Sequence, residues 1–132
     1  MSGGMDRQTR SRLKNDIVIW LVTAGRDRRP HAVPVWFWWD GKTFLIYAVS
    51  GQKTRNVREN RYVELHLNSD PAGNVVVRVE GTASSPRTQP PAHKVRGYIR
   101  KYGDQIKDLG MTPQQFAEDY KVPIRVRPTR FH

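Results

Sequence analysis

The chain consists of short apolar runs separated by turn-forming residues. Runs of this length, whether continuous or alternating with polar residues, predict β-strands. They lie at residues 17–24, 31–39, 43–49, 62–68, 75–84 and 122–127. Strands at such close spacing are typical of a small barrel with a meander or Greek-key path. The fold class is therefore predicted to be mainly β (α+β), with about six mostly antiparallel strands.

Turn signals fix the arrangement of the second and third strands. Asp40-Gly41 lies between these two runs and is the strongest hairpin signal in the chain. Pro34 has no N–H to donate to a neighbouring strand. The second strand is therefore predicted to lie at a sheet edge or to carry a bulge.

Two or three small helices complete the predicted barrel. Residues 9–15 predict a short helix with Leu13 as its apolar anchor. Residues 92–102 place apolar side chains on one face, and Gly103 is the predicted end of that helix. The sequence TPQQ, which begins at Thr112, matches a capping box and predicts one more helix.

Length and composition predict a single domain over residues 1–132. Residues 1–8 are polar and are expected to be frayed. No apolar run is long enough to cross a bilayer, and no apolar signal-peptide core follows the start. The chain has no cysteine, which excludes disulfides, thiol nucleophiles and cysteine-based metal sites. Together these features favour a cytoplasmic protein without a membrane partner.

The charge balance predicts an anionic partner. Lys and Arg number 23 against 12 Asp and Glu, which gives a formal net charge of +11. Such a surface attracts nucleic acids and acidic small molecules alike. The cations are dispersed along the chain and no RNP1 signature is present. A non-catalytic nucleic-acid-binding module is thus an alternative rather than the leading interpretation.

No residue pattern predicts a catalytic or a metal site. The histidines show neither HxxxH spacing nor paired acidic neighbours; they are His31, His66, His93 and His132. No Ser/His/Asp arrangement is present, and Ser50 precedes a glycine without an evident base. If the protein is an enzyme, we therefore expect a bound cofactor to carry the chemistry.

Four aromatic residues follow one another on the second predicted strand. Alternation predicts that Phe37 and Trp39 point into the barrel and that Trp36 and Trp38 point out of it. Nothing obvious in a monomer would cover the outer pair. An exposed tryptophan pair on a strand indicates a subunit interface or a planar ligand.

A basic insert, SGQKTRN at residues 50–56, follows the third predicted strand. A glycine and a helix start after a strand offer free backbone N–H groups, and Lys53 and Arg55 add positive charge. Arg58 follows closely. The pattern alone leaves two interpretations open: a solvated basic turn, or a site for an anionic group such as a phosphate.

The block PVWFWWDGKTFLIYAVSGQKTRNVREN resembles the pyridoxamine-phosphate-oxidase-like superfamily of flavin- and deazaflavin-binding proteins. The segments VEGTA, KYGDQIKDLGMTPQQFAEDY and VPIRVRPTR resemble, more narrowly, actinobacterial split-barrel proteins described as coenzyme F-420-dependent enzymes. The resemblance covers roughly residues 10–131. One departure is that relatives carry Asn-Pro where this chain has Asn60 followed by Arg61.

This resemblance implies a homodimeric split β-barrel of the FMN-binding type, with two cofactor sites at the dimer interface. The implied cofactor-binding residues are Pro34, Val35 and Trp36 along the ring, Tyr47, Ala48 and Ser50 continuing the groove, and Lys53, Arg55 and Asn56 at the phosphate. Arg58 does not match the family pattern. Trp38 or the segment 128–130 of the other chain is implied to cover the ring.

The implied function is hydride transfer between reduced coenzyme F-420 and an unidentified small-molecule acceptor. FMN or a tetrapyrrole as ligand, with oxidase or biliverdin-reductase-like chemistry, is the alternative within the same fold. The oligoglutamate tail of F-420 is a polyanion, so a net charge of +11 modestly favours F-420 over FMN.

Overall fold

The computed structural model describes residues 5–132. Its α-helices are α1 (Arg7–Asn15), α2 (Gln52–Glu59), α3 (Arg96–Asp108) and α4 (Pro113–Asp119). Its strands are β1 (Val18–Ala24), β2 (Pro30–Trp36), β3 (Trp38–Trp39), β4 (Phe44–Ala48), β5 (Tyr62–His66), β6 (Arg78–Ser84) and β7 (Val122–Phe131). Residues 1–8 were expected to be frayed. Residues 1–4 lie outside the described part, and the first helix begins at residue 7.

The strands form one antiparallel sheet in the order β2-β1-β5-β6-β7-β4-β3. The sheet curls into a half-barrel, so the predicted split-barrel class is confirmed, with seven strands where about six were expected. β2 lies at one edge of the sheet, as Pro34 predicted. No helix within residues 5–132 has the length and apolar character needed to cross a membrane.

The core consists of two layers on opposite faces of the sheet, and β4 belongs to both. Phe44, Ile46 and Ala48 face the barrel interior, whereas Leu45 and Tyr47 face a layer that includes α3 and α4. Every residue of β4 is buried. This burial on both faces explains why the strand reads as a continuous apolar run instead of an alternating one.

The aromatic strand distributes its side chains between the same two layers. Phe37 is fully buried and Trp39 packs against the barrel interior, in agreement with the predicted alternation. Trp36 and Trp38 pack against α3 and α4 on the other face. Helices of the same chain cover most of this outer pair, so neither a partner nor a ligand is needed to bury it.

The predicted strand 31–39 is interrupted at Phe37. Its N–H donates to the Tyr102 hydroxyl at 2.8 Å, and its carbonyl accepts a hydrogen bond from Lys101 Nζ at 2.9 Å. The Tyr102 hydroxyl also lies 2.7 Å from the carbonyl oxygen of Ile17. Side chains of α3 thus replace a strand partner for the backbone of Phe37, and the run divides into β2 and β3.

Gly103 does not end α3, contrary to the prediction. The helix continues to Asp108, and Gly110 follows it with a φ of 76°. A glycine ends a helix where the chain needs the left-handed conformation, and Gly110 rather than Gly103 occupies that position. Most of the basic insert, from Gln52 onward, belongs to a further helix, α2, which raises the number of α-helices in residues 5–132 above the two or three expected.

Lys101 makes the stability of this fold dependent on pH. Its ammonium lies 3.7 Å from the centroid of the Phe37 ring, and burial lowers the pKa of Lys101 from 10.5 to about 8. Between these two pH values the unfolded chain binds more protons at this position than the folded chain. The contribution of Lys101 to the free energy of unfolding therefore rises as the pH increases through this interval.

We expect the stability of the wild-type protein to improve relative to Lys101→Met between pH 8 and pH 10.5. Methionine keeps an unbranched side chain against Phe37 but carries no titrating group. Urea denaturation of both proteins across this interval measures the difference. A difference that stays constant, or that shifts in favour of the variant, contradicts the assignment.

Candidate functional site

A cavity of about 340 Å³ lies where β2 and β4 meet α3 and α4. Six of the residues predicted from the sequence line this cavity: Pro34, Val35, Trp36, Tyr47, Ala48 and Lys53. It adds residues that were not predicted: Val18, Val49, Tyr98, Leu109, Phe116 and Tyr120. Strand ends, the start of α2 and both C-terminal helices therefore contribute to one site.

One wall of the cavity is built from stacked aromatic rings. The Trp36 ring stacks on Tyr102 with centroids 4.7 Å apart and on Phe116 at 5.5 Å. Tyr47 and Tyr98 meet edge to face at 5.1 Å. Rings in mutual contact have few alternative rotamers, so this wall is a preformed apolar surface that suits a planar ligand.

The Tyr47 hydroxyl is already bonded within the chain. It donates to the Pro90 carbonyl oxygen at 2.6 Å and accepts a hydrogen bond from Gln89 Nε2 at 3.3 Å. Burial raises the pKa of Tyr47, while the Gln89 contact opposes that shift. The phenol therefore stays protonated at neutral pH and contributes its ring, not a base, to the cavity.

The start of α2 provides donors for an anion. Gly51 precedes the helix and cannot cap it with a side chain, and the first backbone bond of the helix runs from Arg55 N–H to the Gly51 carbonyl at 3.0 Å. The N–H groups of Gln52, Lys53 and Thr54 consequently have no partner within the helix. Because Lys53 also lines the cavity, positive charge and free donors occur together at this end.

Asn56, predicted to contact the phosphate, is placed elsewhere. The residue is fully buried; its Nδ2 donates to Thr23 Oγ1 at 3.1 Å and its Oδ1 accepts from Gln52 Nε2 at 2.7 Å. On the same helix, Glu59 Oε1 accepts from the N–H of Arg26 at 3.0 Å. These bonds attach α2 to β1 and to the turn after it. Asn56 thus positions the helix that carries the cavity lysine and does not line the cavity itself.

Ser50 and Arg55 are exposed and do not line the cavity. The Arg55 guanidinium donates to Gln52 Oε1 at 2.9 Å. Residues two apart on a helix point in different directions, so Lys53 and Arg55 do not share a face of α2. Trp38, implied to reach the partner's ring, packs instead in the aromatic layer of its own chain.

The unpredicted lining residues come mainly from the two C-terminal helices. Phe116 lies in α4 and Tyr120 directly after it; their four-residue spacing is that of a buried helix face and gives no sign of a cavity. Leu109 lies directly after α3 and is half exposed. Within residues 5–132 no cluster of three or more His, Asp or Glu side chains could hold a metal ion, and none of the four histidines lines the cavity.

The family described as pyridoxamine 5′-phosphate oxidase matches residues 5–132. The chain belongs to the pyridoxamine 5′-phosphate oxidase family. The superfamily resemblance of the central block is thereby confirmed. Among curated proteins, no match to this family member was found.

Solved structures similar to this oxidase-family chain carry several different names. An F-420 reductase is 25% identical, with a TM-score of 0.74 over 97% of this chain and 98% of that one. A Listeria innocua protein named for pyridoxamine 5′-phosphate oxidase is 23% identical, with a TM-score of 0.69 over 95% and 94%. The heme storage protein HutZ from Vibrio cholerae is 12% identical, with a TM-score of 0.67 over 95% and 90%. The last two likenesses establish the fold alone.

Proposed function

We propose that this protein is a homodimeric oxidoreductase that binds coenzyme F-420 and transfers a hydride between the reduced deazaflavin and a small-molecule acceptor. The observation that carries the proposal is the cavity, where the ends of β2 and β4 lie beside Lys53 in the first turn of α2. Family membership and the similarity to an F-420 reductase support a cofactor-binding role. Membership of the F-420-dependent subgroup is part of the proposal.

The apolar part of the cavity fits a planar ring system. Pro34, Val35 and Trp36 line it from β2, and Tyr47 and Ala48 line it from β4. Cofactor sites are mostly apolar, with a few polar groups that fix orientation. These two strand ends would hold the faces and edges of a tricyclic ring.

The polar part of the cavity fits the anionic portion of the same cofactor. Lys53 supplies a positive charge from the first turn of α2, where the helix dipole also favours an anion. The net charge of +11 adds a long-range attraction for a cofactor that carries a phosphate and an oligoglutamate tail. Arg55 and Ser50 remain predicted contacts that the cavity geometry does not include.

Reduced deazaflavin, when bound, supplies the hydride. The chain's own residues bind the cofactor, orient it against the acceptor and exclude water. Tyr47 and Tyr98 keep their protons, because burial raises the pKa of each phenol. We assign no residue a catalytic role, in line with the absence of an acid–base pattern in the sequence.

FMN is the nearest alternative ligand, since a flavin needs the same flat wall and the same anion site. A tetrapyrrole is suggested by the similarity in fold to a heme storage protein. The cavity gives a heme less support, because none of the histidines in the described chain lines the wall to ligate its iron. F-420 therefore remains the leading ligand of the proposal.

A second subunit is part of the proposal because the cavity is open to solvent at apolar residues. Val49 is 48% exposed and Leu109 is 53% exposed, and both line the cavity. Exposed apolar side chains at a ligand site favour a covering partner. A partner chain would exclude water from the bound ring, which a single chain does incompletely.

Equilibrium binding of F-420 and FMN, compared at low and high salt, tests the function. We expect saturable quenching of tryptophan fluorescence, tighter for F-420, with an advantage that shrinks as salt screens the acidic tail. Tighter FMN binding at both salt concentrations supports the flavin alternative. Unsaturable binding of any polyanion with a steep salt dependence supports the nucleic-acid alternative. Light scattering on the same samples measures the oligomeric state, and a monomer at saturating cofactor contradicts the shared site.

A further inference from the structure

Tyr98 is fully buried, and its hydroxyl has no hydrogen-bond partner among the residues that the structure describes. Its side chain lines the cavity. The adjacent tyrosines differ in this respect, because the Tyr47 hydroxyl bonds to Pro90 and the Tyr102 hydroxyl bonds to Phe37. Buried hydroxyl groups almost always have a partner, so an unpaired one on a side chain that lines a cavity is a candidate for a bond to a ligand.

The hydroxyl keeps its proton under ordinary conditions and therefore has an O–H to donate. Burial raises the pKa of Tyr98, and the neighbouring phenols of Tyr102 and Tyr47 raise it further. The group therefore neither ionises nor releases its proton readily at neutral pH. What it offers a ligand is one directed O–H in an apolar wall, where a hydrogen bond is stronger than in water.

We propose that the Tyr98 hydroxyl donates a hydrogen bond to a carbonyl-type oxygen of the planar molecule that fills the cavity. This deepens the proposed function, on which it rests for the identity of the cofactor. It defines the ligand class as a flat, mainly apolar ring system with one buried acceptor. The acceptor belongs to the cofactor ring or to the substrate beside it, and the hydrogen-bond chemistry is the same in both cases.

A pair of probes that differ by one acceptor tests this assignment without any cofactor. The planar ketone 9-fluorenone and the hydrocarbon fluorene have the same ring system, and only the ketone carries a carbonyl oxygen. We expect the wild-type protein to bind the ketone at least about fivefold more tightly than the hydrocarbon. Tyr98→Phe should remove this preference. The matched control Tyr62→Phe, at a tyrosine that is 63% exposed and outside the cavity, should keep it.

The same variant separates a ligand contact from a structural role. Without ligand, Tyr98→Phe is expected to be at least as stable to urea as the wild type, because the substitution removes only an unpaired hydroxyl. The proposal is overturned if the variant is less stable than the wild type. It is also overturned if the wild type shows no preference for the ketone, or if Tyr98→Phe keeps that preference.

Titration of Tyr98→Phe with F-420 and with FMN then assigns the acceptor. Weaker binding than in the wild type places it on the cofactor, and unchanged binding with a lost ketone preference places it on the substrate. A wild-type protein that binds neither cofactor disproves the proposed function, while the ketone comparison still decides the role of Tyr98.

Discussion

Gly97→Ala is expected to lower the free energy of unfolding by about 1–3 kcal/mol. A Cβ at Gly97 would overlap the six-membered ring of Trp38, which packs in the aromatic layer beneath α3. Trp38 lies on β3 and pairs with Leu45, so its ring cannot withdraw without disturbing the sheet or the helix. The intrinsic preference of alanine for helices offsets only part of this cost.

Gly103→Ala is the matched control for this prediction. Gly103 lies in the same helix, yet no atom lies within 4 Å of the Cβ that the substitution would add. Alanine at an open helical position stabilises by about 0.5–1 kcal/mol relative to glycine. Urea denaturation should therefore shift the two variants in opposite directions. Equal shifts, or a neutral Gly97→Ala, would show that Trp38 does not pack against Gly97 as described.

The sheet was predictable because its signals are local. The Asp40-Gly41 turn gives β3 and β4, with Gly41 at a φ of 96° and the Asp40 N–H donating to the Thr43 carbonyl oxygen at 3.1 Å. The interruption at Phe37 was not predictable. The groups that replace its strand partner belong to Lys101 and Tyr102, which lie 64 and 65 positions later in the chain. Nothing in a run of four aromatic residues indicates that α3 will bind its backbone.

The candidate site likewise has one part that could be predicted from the sequence and one part that could not. Lys53 and the strand ends were expected from resemblance to a family, and the cavity brings them together. The burial of Asn56 depends on Thr23, which lies 33 positions earlier, so its structural role could not be inferred from the insert itself. Tyr98 read as an ordinary apolar position of a helix. Only the three-dimensional structure shows that its side chain lines a cavity and that its hydroxyl is buried without a partner among the described residues.

Lys53→Ala is expected to weaken F-420 binding by roughly 10- to 150-fold, which corresponds to ~1.5–3 kcal/mol for a hydrogen bond to a charged group. Lys53 is the only Lys or Arg residue that lines the cavity within residues 5–132. Its loss leaves the anion with the N–H groups of α2 alone. The fold should be unaffected, because the bonds that attach α2 to β1 come from Asn56 and Glu59.

Arg55→Ala provides a control that removes the same charge from the same helix. The long-range field of a protein with a net charge of +11 changes equally in both variants, so a difference between them isolates direct contact. Since Arg55 is exposed and bonded to Gln52, we expect its removal to weaken binding by less than about threefold. Equal losses in the two titrations would place Arg55 at the anion, as the resemblance implied, and would contradict the geometry of α2. Unchanged affinity in both variants would mean that the basic helix start holds no part of the cofactor.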